Sequence, residues 1–111
     1  MIDRETALQR LHAPTSRAER AELQAILGVW AARAGDALVA EVQFNEAIAL
    51  ALEIGDPDTL ADVARWTAET CLVLGRPGDA IEAAERGLAL RDDDDLLRLR
   101  DQARAALAAG R

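Results

Sequence analysis

The side chains that could carry out catalysis are few. Ser16, Cys71 and His12 are each the only residue of their type, and Lys and Tyr are absent. None stands at a spacing that pairs a nucleophile with a base. Ser16 is followed three residues later by Glu19, the spacing of a capping box, which gives its hydroxyl to a helix N-terminus for about 1 kcal/mol. Cys71 falls in line with Leu60, Ala64, Thr67 and Leu74 on one helical face, the pattern of a buried, inert thiol. His12 stands just ahead of Pro14 and has no second His or Cys with which to share a metal. The run Asp92 to Asp95 offers hard oxygen ligands, but it lacks the alternating ligands, central Gly and terminal Glu of a calcium loop. A carboxylate there that caps the following helix is the expected role. Glu69 and Asp62 are the carboxylates that an acid/base pair would require, and no feature of the chain marks them for that role. The reading is that of a non-enzyme with no metal and no cofactor.

Composition narrows the class further. A chain of 111 residues with net charge −7 holds one domain. Half of it is hydrophobic, yet only three residues are aromatic, Phe44, Trp30 and Trp66, so the core must be built from Ala, Leu, Ile and Val, which suits closely packed helices. All thirteen basic residues are Arg, and they alternate with acids. The densest group, Arg98, Arg100 and Arg104, reads as a solvated helix face, so nucleic acid is not an expected partner. No apolar run reaches the eighteen or so residues of a membrane span. The N-terminal Met-Ile-Asp-Arg-Glu lacks a basic region followed by an apolar run. A cytoplasmic protein without a membrane partner is expected.

Punctuation then divides the chain. An N-terminal arm, 1–14, carries a short helix over 3–12 with Leu8 and Leu11 and stops before Pro14. Helical periodicity runs over 17–34 with Leu23, Ile26, Leu27, Trp30 and Ala34, and Gly35-Asp36 stops it. A second run covers 37–54. Gly55-Asp56-Pro57 closes it and opens a third, to Leu74, with Pro57 at the first helical position. Gly75 to Asp79 is a turn, a fourth helix covers 79–90, and a last helix, 95–109, carries the stripe Leu96, Leu99, Ala103 and Leu107.

These helices repeat at an offset of forty residues. Ala21, Leu27-Gly28, Ala31, Gly35-Asp36, Ala40, Phe44 and Ala47 are matched by Ala61, Thr67-Ala68, Cys71, Gly75, Ala80, Ala84 and Gly87. The pattern resembles the tetratricopeptide repeat over residues 21 to 94. The resemblance implies an all-α array of antiparallel helix pairs, 17–54 and 57–91, closed by a solvating helix at 95–109. It also accounts for Gly28 and Gly87, since the family places small residues where the two helices of a repeat cross. An offset of forty exceeds the usual 34, which puts about six extra residues into the second helix and the Gly55 to Thr59 turn. Two repeats are also fewer than the three or so that normally stand alone.

The resemblance implies a partner-binding groove lined by the first helix of each pair. Asp62, Arg65, Trp66, Glu69 and Val73 share one face of the third helix, and Glu22, Ala25, Ile26, Val29 and Arg33 are their equivalents on the first. Both helices are therefore apolar on two sides. Such a helix is either buried between layers or presents a surface, and a solenoid provides for both. The partner-binding candidates are Ile26, Val29 and Trp66 at the centre, with Arg33, Arg65, Glu69 and Val73 around them, gripping a helix or extended peptide. Trp30 continues the inward stripe and belongs to the core. The Lys/Asn/Arg clamp by which some family members hold a peptide carboxylate is not reproduced, because Ala25, Val29 and Glu69 stand in its places. A homodimer through the same apolar face, or through Leu8 and Leu11 of the arm, is the alternative. If the face is a groove, Trp66→Ala weakens partner binding and leaves helical content nearly unchanged.

Overall fold

Short polar residues and left-handed glycines set most of the helix boundaries in the computed structural model, which describes residues 1–13 and 15–110. Pro14, assigned above as the first stop and the end of the arm, lies outside the described residues, as does Arg111. Among the described residues there are six helices and no strand: α1 Arg4–His12, α2 Arg17–Arg33, α3 Ala37–Ile54, α4 Pro57–Val73, α5 Pro77–Leu88 and α6 Asp94–Ala109. Side-chain oxygens of Asp3, Ser16, Asp36, Asp56 and Asp93 accept backbone N–H groups of the first turns of α1, α2, α3, α4 and α6. Asp93 is thus the member of the acidic run that caps α6.

Gly35 and Gly75, forty positions apart, end α2 and α4 in the same way. Each sits at positive φ, 82° and 73°, where a Cβ would be strained. The following N–H reaches back to close the helix, Asp36 to the Ala31 carbonyl at 2.9 Å and Arg76 to the Cys71 carbonyl at 2.8 Å. The chain therefore folds back at equivalent points, α3 onto α2 and α5 onto α4.

Helix α4 is the hub. It packs against α2, α3, α5 and α6, whereas α1 packs on α2 alone. Its residues enter all three apolar clusters: Val63 and Trp66 join Leu23, Ile26 and Val29 of α2, Ala68 joins Leu96 and Leu99 of α6, and Cys71 joins Ala80 and Ala103. The arm is held by Ala7, which is fully buried, and by Trp30, whose Nε1 donates to the Ile2 carbonyl at 2.9 Å.

The limits of α5 and the burial of Leu107 differ from the sequence reading. Helix α5 spans 77–88 rather than 79–90, because Pro77 needs no N–H partner at the first helical position and so starts the helix two residues early. Leu107 continues the expected inward stripe but is 46% exposed, since α6 is four residues longer than α5 and its last turn overhangs the helix on which it packs.

A polar knot locks the other end of α4. The Arg91 guanidinium reaches Asp62 at 2.9 Å, Asp93 at 2.7 Å and Asp58 at 3.4 Å, joining the start of α4 to the α5–α6 connection. Burial pushes the Asp93 carboxyl up, but the Arg91 hydrogen bond and the N–H groups of Leu96 and Asp95 outweigh it and leave it below the usual carboxylate range. Its ionised form is therefore favoured by folding. The stability it lends is present above about pH 4, the unfolded value, and is lost as the pH falls through its lowered folded value. Asp93→Asn keeps a cap but loses the ion pair. Urea melts should show it less stable by about 1 kcal/mol at pH 7, with the difference from the native chain shrinking toward pH 3.

Two of the helical glycines, Gly28 and Gly87, give a paired test. A Cβ at Gly28 would meet the Ala40 carbonyl of α3 at 3.4 Å and the Phe44 nitrogen at 3.6 Å, ordinary contacts, whereas one at Gly87 would fall 2.8 Å from Leu96 Cδ1 and 3.1 Å from Ala64 Cβ. Leu96 is fully buried, so its methyl groups would have to shift within the core. Gly28→Ala should gain up to about 1 kcal/mol of helix propensity. Gly87→Ala should lose about 1–2 kcal/mol to overpacking despite the same propensity gain. Opposite shifts in denaturation midpoint are the expected result.

Candidate functional site

The seven partner-binding candidates come together, but α2 and α4 close over most of them. Ile26, Val29 and Trp66 are 5%, 0% and 6% exposed and lie in one core cluster between these two helices. Of the two possibilities for a helix apolar on both sides, their side chains take the buried one. The polar candidates form the seam around them. Arg33 reaches from α2 to Glu69 of α4 at 3.2 Å and lies over the Trp30 ring at 5.1 Å. Arg65 covers the Trp66 ring at 4.3 Å and pairs with Asp95 of α6 at 3.4 Å. Such stacking contributes about 1 kcal/mol. Trp66 Nε1 donates to Glu22 Oε2 at 3.4 Å, which satisfies its polar end from α2. Val73 is exposed near the C-terminal end of α4. The edges of Ile26 and Trp66 reach a cleft of about 510 Å³ bounded by Met1, Arg10, Glu19 and Glu22.

The reason is topological. Helix α4 packs against α2, α3, α5 and α6, so its Trp66 face is used in packing and only the strip between α3 and α5 is left open. A pattern of residues on one helix cannot reveal how many helices surround it.

The larger opening is elsewhere. Helices α3 and α5 both pack on α4 but stand apart from each other. They leave a groove of about 830 Å³ whose walls and floor include Phe44, Ile48, Leu60, Val63, Cys71 and Ala83. Arg76 bridges one end to Glu41 at 3.5 Å, while Leu52 and Leu90 stand at the other. The apolar surface continues from the groove onto the outer side of α3. There Leu38 is 75%, Val42 49% and Leu52 65% exposed. These residues were not singled out from the sequence, although a signal exists: α3 carries more large apolar residues than a single buried stripe of Ala40, Ala47 and Ala51 uses.

The catalytic-type side chains stay apart. Ser16 Oγ accepts the Glu19 N–H at 3.1 Å and is committed to capping α2. Cys71 is buried in the interior of α4, and burial, reinforced by the nearby Asp79 carboxylate, pushes its thiol up to about 11. His12 ends α1 and is exposed. Among the described residues no group of three or more His, Cys, Asp and Glu is gathered in metal-binding fashion. No helix among them is long and apolar enough to cross a membrane.

Two outcomes follow for this region. Trp66→Ala removes a buried ring from the α2–α4 interface and should cost about 3–5 kcal/mol, visible as a large drop in denaturation midpoint. Cys71, as thiolate at only about one part in a thousand at pH 8, should resist a disulfide reagent in the native chain and react at once in denaturant.

Comparison with family models, with curated proteins and with solved structures finds no match to this chain.

Proposed function

We propose that this chain is a non-catalytic protein-interaction module, a tetratricopeptide-like array of two helix pairs with a capping helix, which holds a helical segment of another protein. The observation that carries the reading is the exposed apolar surface of α3, continuous with the groove between α3 and α5. Contiguous apolar surface of this kind, rimmed by charge, marks interaction sites on soluble domains. Support for the repeat comes from the matched Gly35 and Gly75 turns and from the small residues at equivalent helix crossings. Support for the absence of catalysis comes from a hydroxyl used in capping and a thiol held protonated.

The binding surface is thereby moved from the Ile26, Val29 and Trp66 face to α3. The lining suits a helix: Phe44, Ile48 and Leu52 of α3, and Leu60, Val63, Ala64, Thr67 and Cys71 of α4, recur at three- and four-residue steps along the groove. Self-association through the same surface is the second reading, since the exposed residues of α3 would serve a second copy equally well in apolar terms.

The reading is tested with helical ligands selected from a displayed peptide library against the native chain. Leu52→Asp is expected to weaken them at least about tenfold while leaving stability within about 0.5 kcal/mol, as for an exposed site. Arg33→Ala, on the other face, is expected to leave binding unchanged. Ligands indifferent to Leu52→Asp and lost with Arg33→Ala would return the site to the concave face.

A further inference from the structure

We propose that the partner of the α3 surface is an amphipathic helix whose apolar stripe is flanked by Arg or Lys. This rests on the α3 groove being the binding surface, and it adds the chemistry of the occupant. Leu38, Val42, Asn45, Ala49 and Leu52 succeed one another at alternating steps of four and three residues, and all five are exposed. That is the seam with which one helix packs along another, here over about 21 Å, or four turns.

The flanks of the seam carry one sign. Glu41 lies on the groove side and Glu46 and Glu53 on the other, α3 has no basic residue, and Asp36 caps its start. The far wall of the groove adds Asp79 and Glu82. Three guanidiniums are nearby and each is already engaged: Arg17 with Glu53 at 3.1 Å, Arg76 with Glu41 at 3.5 Å and Arg86 with Glu82 at 2.7 Å. Among the described residues Asp36, Glu46 and Asp79 have no cationic partner, so the uncompensated charge on this surface is negative. Cations placed beside the seam of an incoming helix would meet it, and charges at such flanking positions decide which partner a helix accepts.

The same charges disfavour a second copy. Two α3 seams in contact would set Glu41, Glu46 and Glu53 near one another's equivalents, on chains that each carry −7. The exposed ion pairs are weak and exchangeable, so a basic helix displaces them at little loss.

The test uses three labelled helical peptides of about 15 residues with one Leu seam and Arg, Gln or Glu at the flanking positions. Their binding to the native chain is read by anisotropy at about 50 and 500 mM salt, beside light scattering of the chain alone. The expected result is a monomeric chain that binds the Arg peptide at least about tenfold tighter than the Glu peptide at low salt, with the ratio falling toward one at high salt. Leu52→Asp adds negative charge and still should weaken the Arg peptide at least about tenfold, with an unchanged melting curve. Tighter binding to Leu52→Asp would mean non-specific attraction and would overturn the proposal. Equal binding of all three peptides, lost in Leu52→Asp, would overturn the basic partner and leave the groove. A concentration-dependent dimer dissolved by Leu52→Asp would assign the surface to a second copy. A monomeric chain that binds none of the peptides at about 100 μM would overturn the groove as well.

Discussion

Everything in this fold depends on the contact between α2 and α4, closed around Trp66. The ring fills the interface beside Ile26 and Val29, its Nε1 donates to Glu22, and Arg65 lies over its face. A chain with one Phe and two Trp has few large side chains with which to join its layers. Here one of them joins the first helix pair to the second. Without it Leu23, Ile26 and Val29 of α2 would face α4 with only Val63 as a large apolar partner in this cluster's buried core, and the interface would lose much of its buried area.

Once α4 is central, the other features follow from packing. Its small residues, Ala61, Ala64 and Ala68, let neighbouring backbones approach, and Gly87 of α5 sits against Ala64 where a methyl group would collide. Thr67 and Thr70 are buried on the same helix but satisfy their hydroxyls by donating to the carbonyls of Val63 and Trp66, both at 2.8 Å. The Arg91 knot keeps the α5–α6 connection against the start of α4, so that Leu96 and Leu99 are delivered to the core. On the opposite side nothing among the described residues covers α3, and its outer face is left apolar and exposed.

The boundaries were legible because their causes are local. A capping oxygen at Asp36 or Asp56 and a left-handed glycine at Gly35 or Gly75 act within one turn, so five of the six helices fall within a residue of the expected limits. Burial is not local. Ile26, Val29 and Trp66 look the same in the sequence whether they line a groove or an interface, because the decision belongs to the neighbours of α4. Leu107 shows the same limit, continuing a periodic stripe past the end of the helix that would have covered it. The α3 surface escaped notice for the complementary reason. Its excess of apolar residues reads as core until the packing shows that only the Ala40, Ala47 and Ala51 stripe is fully buried.

Which apolar residues meet solvent is therefore decisive. Solvent relaxation of side-chain methyl signals by a soluble gadolinium chelate measures this directly in the native chain. Strong broadening of Leu38, Val42 and Leu52, with Ile26 and Val29 protected, is the predicted result. Broadened Ile26 and Val29 methyls with a protected α3 would contradict it, and would return the open surface to the face around Trp66.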